Sequence, residues 1–288
     1  VARVSVSRGA RRVDVSLCID NQACDHRLRL RCPTGLRSTT VLSQGHFGLM
    51  RRPLRNPDEG KTGWSQPPPT TFPFREWVAV ESARCGLALA CRGLYEYESR
   101  DSGTGVDLYI TLQRGYGRMS RANLKARPGA ASPAVPTPGA QCLGTRTYEY
   151  SLVPYTAGED GGSAPFMPQV LAFLYPPIAH QADATHILVD PRITRSKASG
   201  AVRTPAWRVE PGNLRVSAFK RAAEGDGWIL RFWENEGRRT TATLELATAF
   251  TEAWQTDLNE QAMRPLKLRA GRVCLDVGPY KIISLKLR

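Results

Sequence analysis

Polar and apolar residues alternate with a period of two over most of this chain. The first such runs are Arg3-Val4-Ser5-Val6 and Arg12-Val13-Asp14-Val15-Ser16-Leu17. Successive side chains of a strand point to opposite faces, so each run predicts a strand with one face turned to a core. Asp20-Asn21 marks a turn. His26-Arg27-Leu28-Arg29-Leu30-Arg31 alternates again, until Pro33-Thr34-Gly35 ends it. Further strands are predicted at residues 77–80, 87–90, 108–112 and 148–153. Pro53, Pro57, Pro67, Pro68, Pro69 and Pro73 follow one another closely. Proline has no N–H for a ladder, so that stretch predicts a long irregular excursion. Residues 127–138 form a second Pro/Gly/Ala connection and 158–163 a flexible tip. The best helix candidate is 166–174, and it is short.

The composition shifts near residues 190–206, with Arg192, Arg195, Lys197, Ser199-Gly200 and Pro205. A linker or exposed loop is expected there, with domains at 1–204 and 205–288. The second domain reads as strands at 214–219, 228–233, 241–246, 272–277 and 282–287. Gly225-Asp226-Gly227 and Asn235-Glu236-Gly237 supply turns, and this spacing predicts a small sandwich. Pattern alone gives an all-β class, with no internal repeat.

The chain has 288 residues, 41% of them hydrophobic, enough for a real core. Its net charge is +14, carried by 7 Lys and 33 Arg that are scattered rather than blocked. Scattered charge fits a solvated surface, or a face that meets a partner, better than nucleic acid. The seven cysteines (18, 24, 32, 85, 91, 142 and 274) are odd in number and form no CxxC pair. They predict free, mostly buried thiols in a reducing compartment, hence a cytoplasmic protein. No apolar run approaches the roughly 18–20 residues of a membrane span, so no membrane partner is expected. Val1 opens directly in a strand-like pattern, without Met or a leader, which predicts an excised or processed piece.

Chemistry is sparse. Glu96 and Glu98 fall on one strand face, expected to be solvated. His180, Asp183 and His186 lie close together but match no metal motif, and no GxSxG, P-loop or GxGxxG is present. A self-sufficient active site is hard to build from these residues, and no catalytic or metal-ligating residue is assigned.

Several segments together carry a resemblance. Residues 25–30 read Asp-His-Arg-Leu-Arg-Leu, and 112–121 read Leu-Gln-Arg-Gly-Tyr-Gly-Arg-Met-Ser-Arg. Residues 137–144 (Thr-Pro-Gly-Ala-Gln-Cys-Leu-Gly) run into Tyr-Glu-Tyr-Ser-Leu-Val-Pro. Residues 210–221 (Glu-Pro-Gly-Asn-Leu-Arg-Val-Ser-Ala-Phe-Lys-Arg) and the closing Val-Gly-Pro-Tyr-Lys-Ile-Ile-Ser-Leu complete the set. In this order, over nearly the whole chain, they resemble the C-terminal β region of bacterial α-mannosidases of glycoside hydrolase family 38.

The resemblance implies a large supersandwich like that of galactose mutarotase, followed by a small C-terminal β-sandwich. It implies a non-catalytic portion of a zinc-dependent retaining α-mannosidase, with zinc and nucleophile on a separate catalytic barrel and no cofactor in this chain. The implied partners are that barrel and a mannose-containing glycan, with room for a homo-oligomer. Arg114 and Arg121 match arginines of the pattern and are candidate substrate-binding residues at the rim of the sugar pocket. Arg118 stands where an aromatic residue is usual. A guanidinium suits this role because its planar fork can donate to two adjacent hydroxyls. The alternative is that these arginines pair with carboxylates of the barrel. Tyr155 replaces an expected His, and Glu234-Asn235 an expected Asn-Pro turn. Residues 137–141 are expected to be a tight entry to a core strand, with Gln141 free to point its amide at the barrel. An independent carbohydrate-binding module using Trp64, Trp77, Trp207 or Trp254 is the other functional reading.

Overall fold

Trp77-Val78-Ala79-Val80 is apolar at every position because its strand is covered on both sides. In the computed structural model, which describes residues 1–124, 127–158, 164–177, 207–246 and 250–288, these four are fully buried in β7 (Arg75–Glu81). Val78 and Val80 point into the core of a sandwich, whereas Trp77 and Ala79 point to the opposite face. There α1 (Met167–Leu174), the helix expected at 166–174, lays Val170 and Phe173 on the sheet, preceded by Phe166. Small residues make room for it: Ala88 and Ala90 of β8 (Cys85–Arg92) are fully buried beneath it, and Trp77 meets Phe166 edge-on at 4.7 Å.

The chain divides into two compact units, Val1–Tyr175 and Pro176–Arg288. The boundary expected between 204 and 205 lies outside the described residues, as do the linker signals at 190–206, His180 and His186.

In the first unit β7 and β8 are central to a seven-stranded antiparallel sheet. One flank holds β4 (Thr40–Gln44) and β5 (Leu49–Pro53), and the other holds β13 (Gly144–Thr156), β2 (Val13–Asn21) and β1 (Ala2–Ser5). A four-stranded sheet packs against it, in the order β3 (Arg27–Pro33), β10 (Val106–Arg114), β9 (Glu96–Asp101), β6 (Thr71–Pro73). Tyr97, Leu108, Ile110 and Leu112 of the smaller sheet meet Val41, Val78, Val80 and Leu89 of the larger. The proline-rich excursion leaves 54–70 without a strand and returns only as β6, a sheet edge where proline is tolerated.

The second unit pairs a three-stranded with a five-stranded sheet. The smaller runs β14 (Trp207–Glu210), β17 (Thr240–Leu246), β20 (Arg272–Val277). The larger runs β15 (Leu214–Arg221), β16 (Trp228–Glu234), β21 (Ile282–Leu287), β18 (Ala253–Thr256), β19 (Ala262–Leu266). Leu230, Phe232, Leu285 and Leu287 share one core with Ala242, Leu244, Val273 and Val277. The architecture is therefore all-β, a large supersandwich followed by a small sandwich.

Two expectations fail on the direction of side chains. All seven cysteines are free, but only Cys91 is buried; Cys24, Cys85 and Cys274 are exposed. Cys274 sits on the outward phase of β20, whose alternation is strict. The Glu96/Glu98 face is not a solvated one either. Glu98 is 3% exposed, held by Arg29 and Arg100, while Glu96 pairs with Arg27 at 2.8 Å. Arginines 27, 29 and 31 line the same face from β3, and Arg29 and Arg100 both cover the Tyr109 ring. Long arginine stems shield Glu98 from water, whereas Glu96 stays 33% exposed.

Candidate functional site

The candidate arginines gather at one end of the four-stranded sheet. Arg114 closes β10 and is paired in register with Arg27, which opens β3. Beyond Arg114 the chain must turn sharply over Gln141. A Cβ at Gly117 would sit 2.8 Å from the Gln141 amide nitrogen, and one at Gly115 would sit 3.0 Å from its backbone oxygen. Glycine alone allows that approach. The Gly115 N–H then donates to the His26 carbonyl at 2.8 Å. Residues 131–137 strap the turn: Met119 N–H donates to Val135 O, Thr137 N–H to Gly117 O, and Ser120 Oγ accepts from Ala131 N–H.

The result is a groove of about 580 Å³. Arg27, Arg114, Arg118, Arg121 and Arg127 line it, with Asp25 and His26, and Tyr116, Met119 and Leu124 make its apolar part. Arg114 and Arg121, assigned from the sequence, thus lie together, and Arg118 joins them.

Asp25 organises one wall. It takes a left-handed backbone (φ 52°), which Asp tolerates better than most residues. Its backbone N–H donates to Gln141 Oε1 at 2.8 Å, and its Oδ1 accepts from Gln141 Nε2 at 3.1 Å and Gly117 N–H at 2.8 Å. Its Oδ2 pairs with Arg121 at 3.0 Å. Gln141 first, then Arg121 and Gly117, hold the Asp25 carboxyl below the usual aspartate range. Gln141 is therefore not free for a partner domain, because both ends of its amide are spent on Asp25.

Below, Pro138–Gln141 is a single 3-10 turn capped by Cys142 in the left-handed region, the tight strand entry expected of 137–141. Asn21 Nδ2 donates to the carbonyls of Gln141 and Cys142, Gln113 Nε2 donates to Cys142 O at 3.1 Å, and Tyr148 Oη donates to Gln113 Oε1 at 2.6 Å. A buried polar network with its donors and acceptors matched is rigid, so the groove is preformed.

The five guanidiniums differ in what they meet. Arg27 is answered by Glu96 and Thr111, and Arg121 by Asp25. Arg114 lies over the Tyr116 ring at 5.9 Å and Arg118 donates to the Ala134 carbonyl at 3.2 Å; neither meets a carboxylate among the described residues. Arg127 Nε and His26 Nδ1 are buried with no hydrogen-bond partner among the described residues.

The C-terminal unit is where the comparison with known families is most specific. The profile of the glycosyl hydrolases family 38 C-terminal beta sandwich domain matches residues 213–285. A curated relative, the putative mannosylglycerate hydrolase of Halalkalibacterium halodurans, is 25% identical over 283 residues, 98% of this chain and 28% of that protein. Residues 213–285 thus match the C-terminal beta sandwich domain of glycosyl hydrolase family 38, and the chain as a whole is similar to proteins of that family. Two solved structures from Enterococcus faecalis share its fold. One is a protein in glycosyl hydrolase family 38 and the other an alpha-mannosidase. Each is 19% identical with a TM-score of 0.71, and they cover 100% of this chain but 29% and 28% of their own. The chain thus spans under a third of the length of the relatives it matches. The groove lies outside residues 213–285, in the part aligned only with the longer proteins.

Reading the family 38 region as a sequence misses Arg27, Arg127 and Asp25 as members of the groove. Residues 25–30 and 112–121 are both recognisable, but only the β3–β10 pairing makes them neighbours. Of the tryptophans suited to a carbohydrate-binding module, Trp77 is fully buried and Trp207 packs on Phe219 at 6.1 Å. Trp64 is 57% exposed, and Trp254 lines a separate cavity of about 320 Å³. Among the described residues no group of three or more His, Cys, Asp or Glu could hold a metal ion, and no helix is long and apolar enough to cross a membrane.

Proposed function

We propose that this chain is the non-catalytic β portion of a cytoplasmic family 38 glycoside hydrolase acting on a mannose-containing substrate. In this reading the groove at residues 114–121 borders the sugar pocket of a catalytic barrel. Arg114 and Arg121 reach the substrate from it. The observation that carries the reading is this convergence of guanidiniums in a preformed groove, in a chain aligned end to end with less than a third of a longer hydrolase. Arg114 is exposed and meets no carboxylate among the described residues. Arg121 is fixed in direction by Asp25 yet remains 40% exposed, so the rest of its fork can donate.

Chemistry at the glycosidic bond would belong to the barrel, together with the zinc and the nucleophile of a retaining reaction. In this reading the chain's own part is to orient the substrate and to exclude water at the rim. The test is hydrolysis of an aryl α-mannoside in the presence of zinc. The chain alone is expected to give no turnover, and mixing with the separately prepared barrel is expected to raise activity above that of the barrel. Zinc-dependent turnover by the chain alone, or a mixture no more active than the barrel, would overturn the proposal.

A further inference from the structure

We infer that the second unit carries a sugar-binding site of its own, a cleft over Trp254 that takes a neutral pyranose ring. The cleft is the cavity of about 320 Å³ on the outward face of the five-stranded sheet. Ala253, Leu285 and Leu287 belong to the core of the small sandwich. Alternation therefore turns Trp254 and Lys286, which are paired in register, to the other face, where both line the cleft.

Two hairpin turns make the walls, and charged side chains fix them in place. Residues 257–261 join β18 to β19, with Glu260 in the left-handed region (φ 68°) and Asp257 Oδ1 accepting from Gln261 N–H at 2.8 Å. Glu260 reaches across to the β15–β16 turn, where one oxygen pairs with Lys220 and the other accepts from Ala223 N–H at 2.7 Å. Lys286 Nζ donates to the Glu224 carbonyl at 3.0 Å, and Arg288 Nε to the Asp226 carbonyl at 3.3 Å, so that turn is held from the sheet as well. The cleft is preformed, which spares a ligand the cost of ordering it.

The groups left unengaged suit hydroxyls. Among the described residues the side-chain amides of Asn259 and Gln261 and the carboxylate of Glu224 have no hydrogen-bond partner, and all three line the cleft at exposed positions. An amide both donates and accepts, as a sugar hydroxyl does, and a carboxylate takes further hydroxyl protons. The lining charges balance, Lys286 and Arg288 against Glu224 and Glu260, which favours a neutral ligand over an ion. The half-buried indole of Trp254 gives the C–H face of a pyranose an apolar surface to pack on, with polar groups around it.

The inference goes beyond the proposed function and rests on neither the arginine groove nor turnover. The test is saturation-transfer NMR of the 288-residue chain. The probes are methyl α-D-mannopyranoside, methyl α-D-glucopyranoside, methyl β-D-galactopyranoside and sorbitol, an open-chain polyol. At least one pyranoside is expected to bind through its ring C–H protons, and sorbitol is not. Trp254→Ala should weaken that binding at least about tenfold. Asn259→Ala/Gln261→Ala, at exposed positions in the turn, should weaken it without touching the sheet. Trp64→Ala, at the exposed tryptophan of the first unit, should leave it intact. Binding of no pyranoside, or binding undiminished in both cleft variants, would overturn the inference. Binding lost in Trp64→Ala alone would assign the sugar to the first unit and overturn it too.

Discussion

Glu234 shows how one side chain can hold a corner of a β unit. It is fully buried at the end of β16, and its two oxygens accept from Asn213 Nδ2 and the backbone N–H groups of Glu236, Gly237, Arg238 and Tyr280. Burial alone would raise its carboxyl, but Tyr280, Asn213, Glu236 and Gly237 outweigh that and hold it below the ordinary value of 4.5. Glu234→Gln would turn an amide NH₂ toward these donors and should cost about 2–3 kcal/mol in chemical denaturation. Because the folded carboxyl is depressed, its contribution is present above pH 4.5 and lost as the pH falls through the folded value. The stability gap between parent and Glu234→Gln should therefore narrow on acidification, and a gap unchanged with pH would refute this role. At the sequence level Glu234-Asn235 is only a departure from an expected Asn-Pro turn. Its acceptor role was illegible, because its donors come from residues 213 and 280 as well as from the turn.

At the scale of elements, β8 and β13 pair so that Gly86 lies opposite Tyr155. A Cβ at residue 86 would fall 2.1 Å from the Tyr155 ring, which itself packs on Phe166 at 4.6 Å. Gly86→Ala should thus displace the ring, lowering stability by about 1–3 kcal/mol, and Tyr155→Ala in that background should recover part of the loss. Full stability of Gly86→Ala would contradict the packing. Alternation made most strands legible, and the mostly apolar segment 166–174 made the helix legible. Which face of a strand would be wet was not legible. Glu98 and Cys274 both sit on the outward phase of amphipathic strands, yet arginine stems cover the first and the second is exposed. Such cover comes from neighbouring strands, which period-two patterning cannot register.

For the whole molecule, the resemblance carried further than periodicity. Strand spacing gave an all-β class, whereas the ordered segments pointed to a family 38 C-terminal region and to Arg114 and Arg121. The groove those arginines share needed the β3–β10 register and the Gln141–Asp25 clamp before it existed as a site. If it borders a sugar pocket, the groove must be felt in catalysis by a domain that this chain does not contain. The most direct measurement is kcat/KM for an aryl α-mannoside with the full-length hydrolase carrying Arg114→Ala, beside Arg239→Ala, an exposed change of equal charge in the other unit. Loss of a charge-assisted contact to the substrate predicts a fall of about 10- to 100-fold for Arg114→Ala, with Arg239→Ala near the parent. Parental kcat/KM in Arg114→Ala would contradict the account, and the groove would then lie away from the reacting sugar.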